Sequence, residues 1–149
     1  MEKKSKKIFV STDVLYAFVD RAHAKYPQAA AYFRYFAQEK YQVFTSYLHV
    51  LNTYREIYAK ISPSLARDFL RALSLSSINV LYPLESDMKA ALKTLINYRN
   101  SELTFDQSQM AVLANRNSIP QVCTFEYVHP LFGLSAFYLP IWENLNLKK

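Results

Sequence analysis

The chain has 149 residues, of which 51% are hydrophobic, and a formal net charge of +6. This length and apolar content suffice for one domain with a sizeable core and argue against wholesale disorder. No apolar run approaches the ~20 residues that a membrane span needs. The apolar segment behind the basic residues 1–7 is too short for a signal peptide. We therefore expect one domain over residues 1–149, with residues 1–7 as a basic tail, in a soluble cytoplasmic protein.

The positive charge favours an anionic partner, with RNA or DNA first, although lysines at the two ends serve equally well as solubilising tails. The single glycine, Gly133, excludes a glycine-rich phosphate loop. The single cysteine, Cys123, excludes an internal disulfide and a multi-cysteine zinc site, and its apolar surroundings predict a buried core residue. His23, His49 and His129 lack the spacing that is typical of a metal site.

Strand-forming and helix-forming segments alternate along the chain. The predicted strands span residues 8–15, 41–44, 78–81, 121–123 and 136–139. The predicted helices span residues 16–22, 27–37, 45–58, 63–73, 86–99 and 104–117. The apolar stripe of the third helix is predicted to be Leu48, Leu51, Tyr54 and Tyr58. This alternation predicts an α/β fold, a three-layer sandwich in which a mainly parallel central sheet is flanked by helices.

The segment from Leu103 to Glu126 has the clearest local pattern. Thr104 and Gln107 form a predicted capping box at a helix start. Asp106 then falls in the first turn, where the helix dipole favours a negative charge. Glu126 ends the strand that follows the helix. Because α/β proteins place ligands beyond the carboxyl ends of parallel strands, we expect the two acids to meet there.

Four segments, in their order and spacing, resemble the PIN-domain family, which includes the VapC-like toxins of toxin–antitoxin pairs. They are IFVSTDVLYAFVD, TSYLHVLNTYREI, LTFDQSQMAVLANRNSIP and VCTFEYVHPLFG. The resemblance spans residues 8–139 and implies a PIN-like fold and an endoribonuclease that depends on Mg²⁺ or Mn²⁺. These ions prefer oxygen ligands, which explains the family's clustered carboxylates. The resemblance also implies RNA as the substrate, an antitoxin as a protein partner, and a homodimer.

The family's acidic positions fall on four residues of this chain, Ser11, Asn52, Asp106 and Glu126. Two of them are therefore neutral here. Asp13 lies two residues after Ser11, on the same face if the strand continues, and could replace the first acid. Glu56 lies one helical turn after Asn52 and could partly replace the second.

Two functions follow from this set. In the first, the chain is a nuclease whose catalytic and metal-binding residues are Asp106, Glu126 and Asp13. Its substrate-binding residues are then Ser11, Asn52 and Glu56. In the second, the missing carboxylates leave metal binding weak or absent, because affinity depends on the charge of the ligands. The chain is then an inactive PIN-like module that binds RNA or a protein.

Structural roles remain open for the same residues. Asp13 could cap the following helix, Glu126 could be a solvated loop acid, and Glu56 beside Arg55 could be a surface charge. The aromatic residues of the third and fourth helices suit either a dimer interface or the core; they are Tyr47, Tyr54, Tyr58 and Phe69.

Overall fold

The computed structural model describes residues 6–98, 102–129 and 132–139. The strands are β1 (Lys7–Val10), β2 (Gln42–Ser46), β3 (Asn79–Leu81), β4 (Gln121–Cys123) and β5 (Ser135–Ala136). The helices are α1 (Thr12–Val19), α2 (Tyr26–Gln38), α3 (Tyr47–Lys60), α4 (Pro63–Leu75), α5 (Glu85–Asn97) and α6 (Phe105–Arg116). All strand pairs are parallel, in the order β3-β2-β1-β4-β5. The predicted α/β class is therefore confirmed.

Strand β1 lies at the centre of the sheet and is covered on both faces. Phe9 pairs in register with Phe44 of β2 and with Val122 of β4. Ile8 and Val10 pack with α1 and α2 on one side, whereas Phe9 packs with α6 on the other. Full burial of Ile8, Phe9 and Val10 explains why these residues are all apolar rather than alternating with polar ones. The result is the expected three-layer sandwich.

Helix starts follow the local capping chemistry. The Ser62 hydroxyl accepts a hydrogen bond from the Leu65 amide at 3.0 Å, just ahead of Pro63 at the first helical position of α4. The Thr104 hydroxyl accepts from the Gln107 amide at 3.1 Å, and the Gln107 side chain accepts from the Thr104 amide at 3.0 Å. Both helix starts agree with the sequence pattern, and the predicted capping box is confirmed.

The first strand is shorter than predicted. It ends at Val10, and Ser11 adopts the extended backbone of an N-cap before α1 begins at Thr12. The prediction of a strand over residues 8–15 is therefore wrong from Ser11 onward. Polar residues that favour a helix start, here Thr12 and Asp13, outweigh the β-prone residues that follow. Asp13 accordingly lies in the first turn of α1 and not on a strand.

Helix α3 buries a different face from the predicted stripe. The residues that it buries are His49, Val50, Thr53 and Ile57. The Thr53 hydroxyl on this face donates to the His49 carbonyl at 2.7 Å, and the His49 Nδ1 lies 2.6 Å from the Ser46 hydroxyl. The stripe predicted from apolar residues is only half-buried, and Tyr58 is exposed.

Other boundaries shift by a few residues. Strand β2 continues to Ser46, and β5 ends at Ala136 rather than continuing to residue 139. Strand β1 includes Lys7, so the predicted basic tail ends earlier, and residues 1–5 lie outside the described residues. Among the described helices, none has the length and apolar content to cross a bilayer.

An apolar groove of about 470 Å³ opens between α1, α2 and α4. Its larger lining residues are Phe18, Phe33, Phe36, Leu65, Phe69 and Leu73. The groove lies away from the carboxyl ends of the central strands, where the acidic residues meet.

Candidate functional site

A cleft of about 440 Å³ lies where β1 and β4 end. Four acidic side chains from separate elements line it: Asp13 of α1, Glu56 of α3, Asp106 of α6 and Glu126 of the segment after β4. The acids expected to meet at this edge of the sheet therefore do so. The parallel topology places them together, because β1 and β4 are neighbours and end side by side.

Asp106 is held by two neutral donors. Its Oδ1 accepts a hydrogen bond from the Asn52 side-chain amide at 2.7 Å, and its Oδ2 accepts from the Thr12 hydroxyl at 3.0 Å. Asn52 occupies a position where the family's pattern has an acid, and here its side-chain amide donates to the carboxylate of Asp106 instead. The capped start of α6 fixes Asp106 in the first turn, and α1 and α3 supply its partners.

Asp13 ties α1 to the end of β4. Its Oδ2 accepts from the Thr124 hydroxyl at 2.8 Å and from the Phe125 amide at 2.8 Å. Its Oδ1 accepts from the Val14 amide at 2.9 Å. These donors fix the orientation of the carboxylate at the cleft. Asp13 therefore reaches the predicted location, although by way of a helix start rather than a strand face.

Glu126 lies near two other carboxylates of the cleft. Partial burial raises the pKa of Glu126 above its usual value of 4.5, and the nearby charges of Asp13 and Asp106 raise it further. Its Oε2 accepts a hydrogen bond from the Gln107 side chain at 3.1 Å. Glu126 therefore keeps a proton to higher pH than an isolated glutamate does.

The three predicted substrate-binding residues are placed differently from one another. Ser11 lines the cleft and is buried. Asn52 contacts Asp106 rather than the open space of the cleft. Glu56 lines the cleft but also pairs with Lys60 at 2.7 Å, one helical turn away. Their roles toward a substrate stay predictions.

The carboxylates do not form a metal site in this arrangement. Within the described residues, no three His, Cys, Asp or Glu side chains are grouped so that they could hold a metal ion. Asp13 and Asp106 direct their oxygens to hydrogen-bond donors of the chain instead. The residues present therefore do not fit the predicted Mg²⁺ or Mn²⁺ as placed here.

Sequence reasoning missed the neutral groups around the acids. Thr12, Thr124 and Gln107 each donate to one of the three carboxylates. Thr12 is adjacent to Asp13 in the sequence and Thr124 lies two residues before Glu126, but this proximity does not reveal which carboxylate a hydroxyl contacts. Lys25 was also missed, and its Nζ lies 4.6 Å from the centre of the Phe125 ring, at the same cleft.

Comparison with known proteins adds the fold family. No protein-family model matches the sequence, and no curated protein matches it. VapC20 of Mycobacterium tuberculosis, a sarcin–ricin loop cleaving toxin, has a similar structure with a TM-score of 0.69 at 19% identity, over 84% of this chain and 92% of that one. FitAcB from Neisseria gonorrhoeae is similar with a TM-score of 0.64 at 15% identity, over 88% and 96%. These neighbours confirm the resemblance on which the sequence prediction rests: the chain has the PIN-domain fold.

Proposed function

We propose that this chain is an endoribonuclease of the VapC-like toxin lineage, acting on RNA at the cleft between α1, α6 and the end of β4. The observation that carries this is the convergence of Asp13, Asp106 and Glu126 from distant parts of the chain. Gathering carboxylates costs free energy because they repel one another, so such clusters are typical of reactive sites. Two facts support RNA as the substrate: the net charge of +6, and the similarity of the fold to VapC20, which is described as cleaving the sarcin–ricin loop.

The proposed roles follow from how each carboxylate is held. Asp13 and Asp106 are fixed by hydrogen bonds, so they orient a water molecule without rearranging. Glu126, with its raised pKa, is the group suited to accept a proton and return it. Asn52 acts through Asp106 as a positioning residue, and Ser11 contacts the substrate from the cleft wall.

The test joins cleavage to metal binding. Mn²⁺ is titrated by calorimetry into the unsubstituted protein and into Asp106→Asn, and cleavage of single-stranded RNA is followed in the same buffers. We expect Asp106→Asn to abolish cleavage. The matched control is Asp68→Asn on α4, outside the cleft, which should leave cleavage unchanged. RNA that stays intact after incubation with the unsubstituted protein and Mn²⁺ would contradict the proposed enzyme.

A second function is favoured by a separate observation. The Asn52 amide and the Thr12 hydroxyl already satisfy the oxygens of Asp106, as in a site that holds its acid without an ion. In this alternative the chain is an inactive PIN-like module that binds RNA or a protein. The double variant Ser11→Asp with Asn52→Glu restores the family's acids. Cleavage that arises only in this variant identifies the natural chain as inactive by substitution.

We also propose an antitoxin partner and a homodimer, as the resemblance implies. Of the aromatic residues considered for the dimer, Tyr47 and Tyr58 are each 51% exposed, whereas Phe69 is buried in the core. Tyr54 is half-buried. A second copy would therefore contact mainly Tyr47 and Tyr58. Light scattering of the unsubstituted protein and of Tyr47→Ser with Tyr58→Ser should give the dimer mass for the former and the monomer mass for the latter.

A further inference from the structure

We infer that single-stranded RNA crosses the cleft along residues 124–127, with a phosphate at Lys25 and an adjacent base stacked on Tyr127. This inference rests on the proposed function for the choice of RNA. It adds two binding residues that the acidic set does not include, and it places the strand relative to the carboxylates.

Tyr127 has the geometry of a stacking platform. Its side chain is 71% exposed, and it follows Glu126 directly in the chain. It lines a recess of about 120 Å³ that shares Glu126 with the acidic cleft and is also lined by Glu102, Leu103, Gln107 and His129. The recess therefore continues the cleft towards the start of α6. An exposed aromatic ring beside a reactive cleft suits an unpaired base, because every base has a face that can stack.

Lys25 lies towards the other end of the same wall. Its ammonium group is placed over the Phe125 ring, and the Phe125 amide donates to Asp13. Among the described residues, Lys25 forms no ion pair with an acid. Since Phe125 and Tyr127 are two residues apart, at most ~7 Å along the chain, one short oligonucleotide can contact both ends of the wall.

The charge of the cleft favours this mode of binding. Four carboxylates line the cleft and repel phosphates, and Lys25 is the one lysine among the described residues that line it. Stacking of a base involves no charge, so the acids do not oppose it. In a duplex the bases are already stacked and paired, whereas in a single strand they are free to splay onto an aromatic ring. The combination of one cation and one exposed ring therefore selects an unpaired strand.

The experiment compares two fluorescein-labelled probes by anisotropy in EDTA, an oligouridylate and an abasic ribose-phosphate oligomer of the same length. Tyr127→Ala should weaken binding of the oligouridylate about tenfold and leave the abasic probe unchanged. The matched control is Tyr138→Ala, since Tyr138 is 82% exposed and lies outside the cleft. It should alter neither affinity. Urea unfolding of each variant verifies that the fold is retained.

Lys25→Gln should weaken both probes alike and reduce the slope of log affinity against log salt by about 0.7, as one lost phosphate contact predicts. Lys93→Gln on α5, outside the cleft, is its control.

The inferred path is overturned if Tyr127→Ala weakens both probes equally, if it weakens neither, or if no probe binds. A cleavage assay separates this inference from the proposed function. If Tyr127→Ala weakens binding of the oligouridylate alone but the protein does not cleave RNA, the inferred path stands and the nuclease proposal is wrong. If the protein cleaves RNA but Tyr127→Ala binds as tightly as the unsubstituted protein, the nuclease proposal stands and the path is wrong.

Discussion

At the scale of single residues, the buried imidazole of His49 makes the stability of the fold depend on pH. Its imidazole Nδ1 lies 2.6 Å from the Ser46 hydroxyl, and the side chain is fully buried. Burial lowers the pKa of His49 from 6.5 to about 4, against the opposing attraction of Asp106. The unfolded chain therefore binds a proton over this interval that the folded chain does not.

We predict that the folded state loses stability as the pH falls from 6.5 to about 4, by ~3 kcal/mol over the full interval. The sign follows because protonation favours the unfolded chain, in which the imidazole has its ordinary pKa. Urea unfolding across this range measures the loss, and His49→Leu should flatten the dependence. Because this variant also changes packing, NMR titration of the imidazole provides a second test. Protonation of His49 in the folded protein near pH 6.5 would contradict the prediction.

Glu126 gives the opposite dependence. Because its pKa is raised in the folded state, the folded chain binds its proton more readily than the unfolded chain does. Stability is therefore lost as the pH rises through the folded-state pKa. We predict that Glu126→Gln raises the urea midpoint at neutral pH and leaves it unchanged well below pH 4.5, where the glutamate and the glutamine are both neutral. A lower midpoint at neutral pH would show that the carboxylate stabilises the fold.

The sequence identifies the acids of the cleft better than their surroundings. Asp106 and Glu126 are found because a capping box and a strand end are local patterns. Asp13 is predicted at the cleft on the assumption that it lies on a strand, but it reaches the cleft from the first turn of α1. Thr12 and Thr124 escape detection because their partners lie 94 and 111 residues away, and no local pattern reports such contacts.

At the scale of elements, the start of α6 couples stability to the cleft. The Thr104 hydroxyl caps the helix two residues before Asp106. We predict that Thr104→Val costs about 1 kcal/mol of unfolding free energy and weakens any activity that depends on Asp106. Thr104→Ser, which keeps the hydroxyl, is the control and should retain both. Urea unfolding and RNA cleavage measure the two effects. Equal stability of the two variants would mean that the cap contributes nothing.

Elements with strong local chemistry are predicted well. Helix α4 begins where Ser62 and Pro63 specify a start, and α6 begins where Thr104 and Gln107 do. The prediction of one strand from Ile8 to Leu15 is wrong in its second half because apolar residues suit a strand and a buried helix equally well. Packing of α1 against α2 and α3 supports the helix that Thr12 and Asp13 begin, and that information lies elsewhere in the chain.

At the scale of the whole molecule, Cys123 reports on the sheet. It is fully buried on β4, between β1 and β5. Burial raises the pKa of the Cys123 thiol well above its usual value, and Asp13 adds to the shift. We predict that a thiol reagent labels Cys123 only through unfolding, so the labelling rate in urea should follow the unfolding curve. Rapid labelling of the native protein would show that β4 opens locally. Unfolded protein in strong denaturant provides the reference rate.

Strand order marks the limit of sequence-based reasoning for the whole molecule. Alternating strands and helices predict a parallel sheet, but they do not predict that β1 lies between β2 and β4. That order depends on which apolar faces fit together across the molecule. Phe9, for example, packs with Leu113 of α6 and with Val122.

The apolar groove between α1, α2 and α4 has a consequence for handling the protein in solution. Strongly hydrated salts such as ammonium sulfate are excluded from protein surfaces and promote contact between apolar ones. The same salts weaken the attraction of a cationic chain for nucleic acid. Light scattering should therefore increase with sulfate concentration while RNA affinity falls. Sulfate then strengthens self-association through the groove and weakens RNA binding.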